Sequence, residues 1–193
     1  VLLPGACLPL HIFEERYKIM IGEAMRSGSE FGIVQAHGRG IVNMGCTATV
    51  TELVRQYPDG RMDIVVTGRR RFEILELDDE LPYLRGAVKF FDDEPVEDPA
   101  LELRCQVLEY YRQLRAALNH KQADLPSVTH PQLSFAVADA IADLTVRQLL
   151  LATRSEKERL ERLAEYFPRL IQQVRRGAQL RQLAVRNGHG GAH

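Results

Sequence analysis

Apolar and polar positions change rhythm about halfway along the chain. In the first half they tend to alternate every second residue. Residues 31–36 form a short apolar run between glycines, and residues 41–57 are rich in Thr and Val, with Ala48 and Val50 on one face and Thr47, Thr49 and Thr51 on the other. Such alternation marks a half-buried strand, because successive side chains point to opposite faces. Pro58-Asp59-Gly60 follows, where proline pre-sets φ and the Asp-Gly pair closes a tight turn. Met62, Ile64 and Val66 then alternate with polar partners, so a hairpin is expected across that turn. Phe72 and Ile74, and then residues 83–91, supply two more strands. Short strands with Gly-rich turns and no long helices between them predict a small antiparallel barrel or sandwich. One helix is expected to interrupt it at residues 12–25, where Ile12, Phe13, Tyr17, Met20, Ile21 and Ala24 recur near helical spacing.

In the second half the period lengthens to three and four. Asp98-Pro99 reads as a cap with proline at the first helical position. Leu101, Cys105, Leu108, Tyr111, Leu114 and Leu118 then form one stripe. A second helix opens at His130-Pro131 and carries Leu133, Val137, Ile141 and Leu144. Thr145 with Gln148, and Ser155 with Glu158, match the capping box, in which hydroxyl and third-position side chain satisfy each other's backbone donors. The second box starts a long helix through Leu160, Leu163, Phe167, Leu170, Ile171 and Val174, with a kink or break expected at Pro168. The elements divide the chain into a β lobe with one helix (1–95), a helical bundle lobe (96–185) and a Gly-rich tail expected to be disordered (186–193). The lobe boundary falls in the acidic, proline-bearing stretch 92–99.

Composition narrows the function classes. With 193 residues, 45% hydrophobic and 26% charged, and a net charge of −1, the chain is neither disordered nor a polyanion binder by bulk charge. That neutral total hides an acidic middle and a basic end: after Glu165 there are no acids, while Arg169, Arg175, Arg176, Arg181 and Arg186 follow. No uncharged apolar run approaches the roughly 18 to 20 residues of a membrane span, and no basic segment precedes the first apolar stretch as in a signal peptide. Cys7, Cys46 and Cys105 are widely spaced and form no CxxC pair. They are expected to be small core residues in a reducing cytoplasm, with no disulfide framework or zinc site. His11, His37, His120 and His130 stand alone, and His189 and His193 lie in the Gly-rich tail, so no metal and no cofactor is expected.

Catalytic motifs are missing. None of Lys18, Lys89, Lys121 and Lys157 follows Gly or precedes Ser or Thr, which excludes the P-loop route to ATP. There is no GxSxG elbow and no HExxH pair, and the serines fall in turns, caps and helix starts.

Pro4-Gly5, Leu8-Pro9-Leu10-His11-Ile12-Phe13-Glu14 and Arg16-Tyr17 resemble the opening motif of the Lon protease N-terminal domain family. Gly45-Cys46-Thr47-Ala48, Asp59-Gly60-Arg61, Gly68 with Arg71-Phe72, and Pro82-Tyr83-Leu84 resemble its later strands. Arg147-Gln148-Leu149-Leu150 and Glu158-Arg159-Leu160 resemble its closing helices, so the likeness spans residues 1–185. The resemblance implies an α+β fold, a small antiparallel PUA-like β-barrel followed by a C-terminal helical bundle. It also implies a stand-alone, non-catalytic module that recognises substrate polypeptides, akin to S16-type peptidases in name but without Walker A or Ser–Lys machinery. The chain departs from the family pattern in having only Val1–Leu3 where a complete first strand precedes the Pro-Gly.

Read from the residues alone, Phe13 and Tyr17, four apart on a helix, are expected to plug the barrel end. In a strand Arg70 shares a face with Phe72 and Ile74, while Arg69 and Arg71 point the other way. A structural ion pair from this arginine run is expected, with Glu14 as its carboxylate. A polypeptide-binding surface is expected at the barrel mouth, lined by Pro9, His11, Tyr83 and Phe90. Pro4, Gly5, Phe13, Glu14, Arg16, Tyr17, Gly68, Arg71 and Phe72 are expected to be structural. Partners are then unfolded or exposed polypeptide segments, with a separate ATPase or protease left open and no membrane. The alternative is an RNA- or DNA-binding PUA-like protein using the basic end. Scarce aromatics (7%, no Trp) and the acidic segment 73–109 weigh against it.

Overall fold

The computed structural model describes residues 1–38, 40–95, 97–119 and 125–188, with side chains as far as 181. It divides into two compact units, one of residues 1–94 and 141–154, the other of 95–140 and 155–193. The chain therefore crosses between them three times. The helix at 144–152, placed in the helical lobe by its sequence pattern, belongs to the first unit.

The first unit holds β1 (Cys7–Ile12), α1 (Glu15–Ser27), β2 (Phe31–His37), β3 (Gly40–Gln56), β4 (Met62–Asp78) and β5 (Arg85–Phe90). All strand pairings are antiparallel, in the order β1-β4-β3-β2, with β5 also on β4. β3 and β4, each of 17 residues, form the central hairpin. Its turn is closed by Tyr57 and Arg61 backbone bonds, by Asp59 Oδ1 accepting from Arg61 N, and by Gly60 at φ +83°. β1 lies along the first part of β4 (62–67) and β5 along the last (72–78). The two strands expected at 62–66 and 72–74 are thus one. Among the described residues β2 pairs only with β3 and β5 only with β4, so the sheet is open at these two edges.

Glycines set two close approaches. A Cβ on Gly68 would lie 2.2 Å from Leu3 O, so only glycine lets residues 2–3 cross β4 there, held by Gly5 N–Gly68 O and Gly68 N–Ala6 O bonds of 2.9 Å. Gly5 itself turns at φ +74°. On the inner face the Phe72 ring fills the space left at Gly45, where a Cβ would meet it at 2.6 Å.

The helix predicted at 12–25 begins later, because Ile12 ends β1 with its side chain buried. Phe13, next along an extended chain, must point outward and is 60% exposed. It does not plug the barrel; Ile12, Ile21 and Ala24 are buried instead. Glu14 is engaged by Arg16 at 2.8 Å rather than by the arginine run. Arg70 pairs with Glu30 and Arg71 with Asp93. Arg71 is 3% exposed, and its guanidinium also donates to the carbonyls of Leu151 and Thr153 at the end of α4 (Leu144–Ala152). α4 is capped by Asp143, which accepts from Thr145 N and Val146 N, and not by Thr145 as the capping-box spacing implied. The aspartate precedes the threonine and reaches the free amides first.

The second unit holds α2 (Leu101–Ala117), α3 (Leu133–Val137) with a following 3-10 turn, and α5 (Glu156–Gly188). α2 packs on α5 through Val107, Tyr111 and Leu114, with Leu163, Phe167 and Ile171 buried on α5. The predicted α2 stripe holds at Tyr111 and Leu114 but not at its start, where Leu101 and Cys105 are exposed and Val107 is buried instead; Asp98 makes no cap because the helix starts two residues beyond Pro99. Ser155 does cap α5, accepting from Glu158 N, and α5 continues through Pro168 without a break. Buried Glu156 accepts from Ser134 N and Oγ and from Arg159, whose guanidinium covers Phe135 at 4.2 Å. Helix α5 reaches residue 188; the rest of the predicted tail lies outside the described residues, as do His120, His189 and His193.

Candidate functional site

A bulge in β4 borders a broad concavity of the first unit. Between the pairs Cys46–Arg71 and Ala48–Gly68, β4 uses one residue more than β3. Thr47 stitches the bulge by accepting from Arg70 N at 3.0 Å and donating to Arg70 O at 3.3 Å. The extra residue re-aims the strand. Beyond it Arg71 turns towards α4, while Arg70, Phe72 and Ile74 line a groove of about 880 Å³ between α1, β2 and β5. Arg70, Phe72 and Ile74 thus share a face, with Arg71 turned away from it.

The groove is lined mainly by apolar surface. Met20 of α1, Val34 and Ala36 of β2, Phe72 of β4, and Val88 and Phe90 of β5 contribute to it. Its charged groups are matched locally. Arg70 donates to Glu30 at 3.1 Å and lies 3.8 Å over the Phe90 ring. Burial pulls the Glu30 carboxyl upward, but hydrogen bonds from Thr47 and Arg70 outweigh it and hold the pKa below the ordinary value. Tyr83 OH donates to Glu23, linking the segment before β5 to α1, and the glutamate raises the phenol's pKa. Arg85 is held by Asp78. Arg16, tied to Glu14, stacks on the half-buried Tyr17 at 4.6 Å. These last two motif residues reach the groove rim.

The four residues expected to line a binding surface fall in two places. Tyr83 and Phe90 line the groove. Pro9 and His11 are on β1, opposite Val65 and Asp63. There His11 Nδ1 bonds Asp63, whose other oxygen accepts from Tyr57 OH at 2.8 Å. His11 and then Tyr57 lower the Asp63 pKa by these bonds. Phe13 stacks on the His11 ring with centroids 6.0 Å apart. Sequence reasoning missed Met20, Glu23, Val34 and Ala36. The available signal was residues 31–37, FGIVQAH, a strand with no Asp, Glu, Lys or Arg.

The thiols differ from expectation as well: Cys7 and Cys105 are exposed, and only Cys46 is in the core, where burial raises its pKa to about 11. Several serines are engaged structurally, Ser27 with Ser29, Ser127 with Thr129, and Ser134 with Glu156. Among the described residues no three His, Cys, Asp or Glu side chains converge as a metal site would require. No helix among them is long and apolar enough to cross a membrane.

The family model described as the ATP-dependent protease La (LON) substrate-binding domain matches residues 1–168. In sequence the chain is similar to Lon protease 2 of Myxococcus xanthus, at 28% identity over 188 residues. It is also similar to Lon protease of Anaeromyxobacter dehalogenans (strain 2CP-C), at 27% over 188 residues. Each match covers 88% of this chain but only 22% of the relative's length. In fold it is similar to a Lon N-terminal domain protein from Xanthomonas campestris, with a TM-score of 0.68, 22% identity, and coverage of 86% of this chain and 92% of that one. The N-terminal domain of Mycobacterium avium complex Lon protease gives a TM-score of 0.64 at 20% identity, covering 87% of this chain and 92% of its own.

Proposed function

The chain belongs to the family of the Lon protease substrate-binding domain, and from that premise we propose that it is a non-catalytic module that binds polypeptide in the groove between α1, β2 and β5. The groove's shape carries this reading. An open concavity of about 880 Å³, lined by aliphatic and aromatic side chains with a few polar groups, is the kind of surface that holds flexible apolar segments. Charges matched within the walls leave hydrophobic contact as the source of affinity, which suits many sequences and selects none sharply. Because the matched relatives are several times longer, ATP hydrolysis and peptide cleavage are not assigned to these residues. A separate ATPase or protease acting on the held polypeptide is part of the proposal.

The test is titration of the purified chain with a fluorescent unfolded model polypeptide, alongside a single-stranded RNA. Saturable polypeptide binding that persists at moderate salt is expected. Phe90→Asp replaces the apolar ring that Arg70 covers with a hydrated carboxylate and should weaken that binding about tenfold or more. Absence of polypeptide binding would overturn the reading. Binding of RNA alone, lost when the arginines after Glu165 are neutralised, would replace it with the nucleic-acid alternative.

A further inference from the structure

The groove is bordered by two strand edges that differ in how they are guarded. β5 carries Arg85 and Lys89, both exposed, in a strand of six residues. Basic residues are a common means of keeping an exposed edge from recruiting another strand. β2, Phe31–His37, has seven residues and no Asp, Glu, Lys or Arg. Its pairing with β3 satisfies one side of the backbone, and its other side has no strand partner among the described residues.

The structure assigns this free edge of β2 a role: we propose that it captures an extended, uncharged polypeptide segment by strand addition. The segment's alternate apolar side chains would enter the groove over Phe72 and Phe90. This rests on the polypeptide-binding reading above and names the substrate class. Three observations converge on that occupant. The edge offers outward backbone donors and acceptors that only another extended backbone satisfies in register. The groove beside it is apolar, with Val34 and Ala36 of the edge strand itself in the lining, so a residue at every second position has an apolar place to go. Of the charged lining groups, Arg16, Arg70, Glu30 and Arg85 are ion-paired within the protein and Glu23 accepts from Tyr83, so a charged side chain entering there would lose water for little gain. A helical segment satisfies its own backbone, leaves the edge unpaired and presents its apolar residues at the wrong spacing.

Competition for the fluorescent unfolded polypeptide tests this, using capped peptides as long as β2 (7 residues) that alternate valine and threonine, with lysines outside that stretch for solubility. Two derivatives carry N-methyl groups, on the valine amides in one and on the threonine amides in the other. Alternate amides of a strand face the same edge, so strand addition requires at least one derivative to bind far more weakly than the parent. The expected loss is about a hundredfold for three amides removed. A peptide of the same composition with its valines in one block should also compete poorly. Ala36→Lys, at an exposed edge position, should abolish competition with an unchanged unfolding transition, whereas Lys89→Val on β5 should not weaken it. If the unfolded polypeptide binds but both methylated peptides compete as well as the parent, strand addition is wrong and the polypeptide reading stands. If the polypeptide binds and no peptide competes, the inference falls alone. If nothing binds, both fall.

Discussion

Replacing Arg71 with methionine keeps the unbranched apolar stem of the side chain and removes its guanidinium. The guanidinium donates to Thr153 O at 2.8 Å, Leu151 O at 3.2 Å and Asp93 Oδ1 at 2.6 Å, and its side chain is 2% exposed. It also lies 4.8 Å from the Phe91 ring centroid, with the Arg154 guanidinium 4.6 Å from the same ring. In methionine's place two carbonyls at the end of α4 lose a charged donor, and water replaces it poorly at Leu151, which is 1% exposed. An abandoned buried acceptor costs about 1–3 kcal/mol. Asp93 is more accessible, its side chain 27% exposed, so its share of the ion pair is discounted for screening. The sum is about 3–5 kcal/mol, the range typical of breaking a buried pair from one side. For a chain of this size that lowers the melting temperature by roughly 6–20 °C. Arg71→Lys keeps the charge but not the fork and should recover only part of the loss. Urea and thermal unfolding followed by circular dichroism measure both variants. A loss below about 1 kcal/mol for Arg71→Met would refute the argument that this arginine fastens α4 to the sheet.

Gly68→Ala forces a Cβ to 2.2 Å from Leu3 O and should cost about 1–3 kcal/mol or more in denaturant unfolding, whereas Gly22→Ala, inside α1 with open space around it, should stabilise by up to about 1 kcal/mol. Asp63 has a folded pKa below its unfolded value of about 3.9, so its contribution to stability is complete above that pH and is lost as the pH falls through the folded value. His11→Ala removes the first cause of that shift and should flatten the acid limb of the stability profile; an unchanged limb would show the bond to be inert. With a colorimetric thiol reagent near pH 8, Cys7 and Cys105 should react in the native protein and Cys46 only after unfolding, since Cys46 is buried and its thiol titrates at about 11. Three native thiols reacting at one rate would contradict that placement.

The parts of this fold legible in the sequence are those where local chemistry acts alone. Pro58-Asp59-Gly60 makes its turn and Ser155 its cap because each depends on neighbours within a few residues. Arg70, Phe72 and Ile74 share a lining because strand alternation survives beyond the bulge. Expectations failed where a neighbouring residue decided the outcome. Phe13 and Tyr17 have helical spacing, but Ile12 belongs to β1, so Phe13 falls outside the helix that spacing assumed. Thr145 has the capping-box spacing, but Asp143 supplies the cap. Glu14 was expected to pair with the arginine run, yet Arg16, two residues away, reaches it first. Glu30 and Asp93, the carboxylates the run does use, are far from it in sequence.

The groove was illegible for a different reason: it is defined by what does not pair. β3 and β4 are long enough to take different neighbours along their lengths, so β4 accepts β1 at one end and β5 at the other. β2 covers β3 from Gly40 to Ala48, and no strand among the described residues joins the outer side of either β2 or β5. Each strand alone reads as an ordinary half-buried segment. Whether an edge is free depends on the lengths and order of all five. Tyr83 and Phe90 drew notice as aromatics, and they lie in the groove because β5 forms one wall of it. Pro9 and His11 were expected beside them at the barrel mouth, but β1 occupies the other end of β4. The uncharged composition of β2 acquires its meaning only with that topology. In a central strand it would be routine, but on an edge beside an apolar groove it leaves the backbone open to another strand.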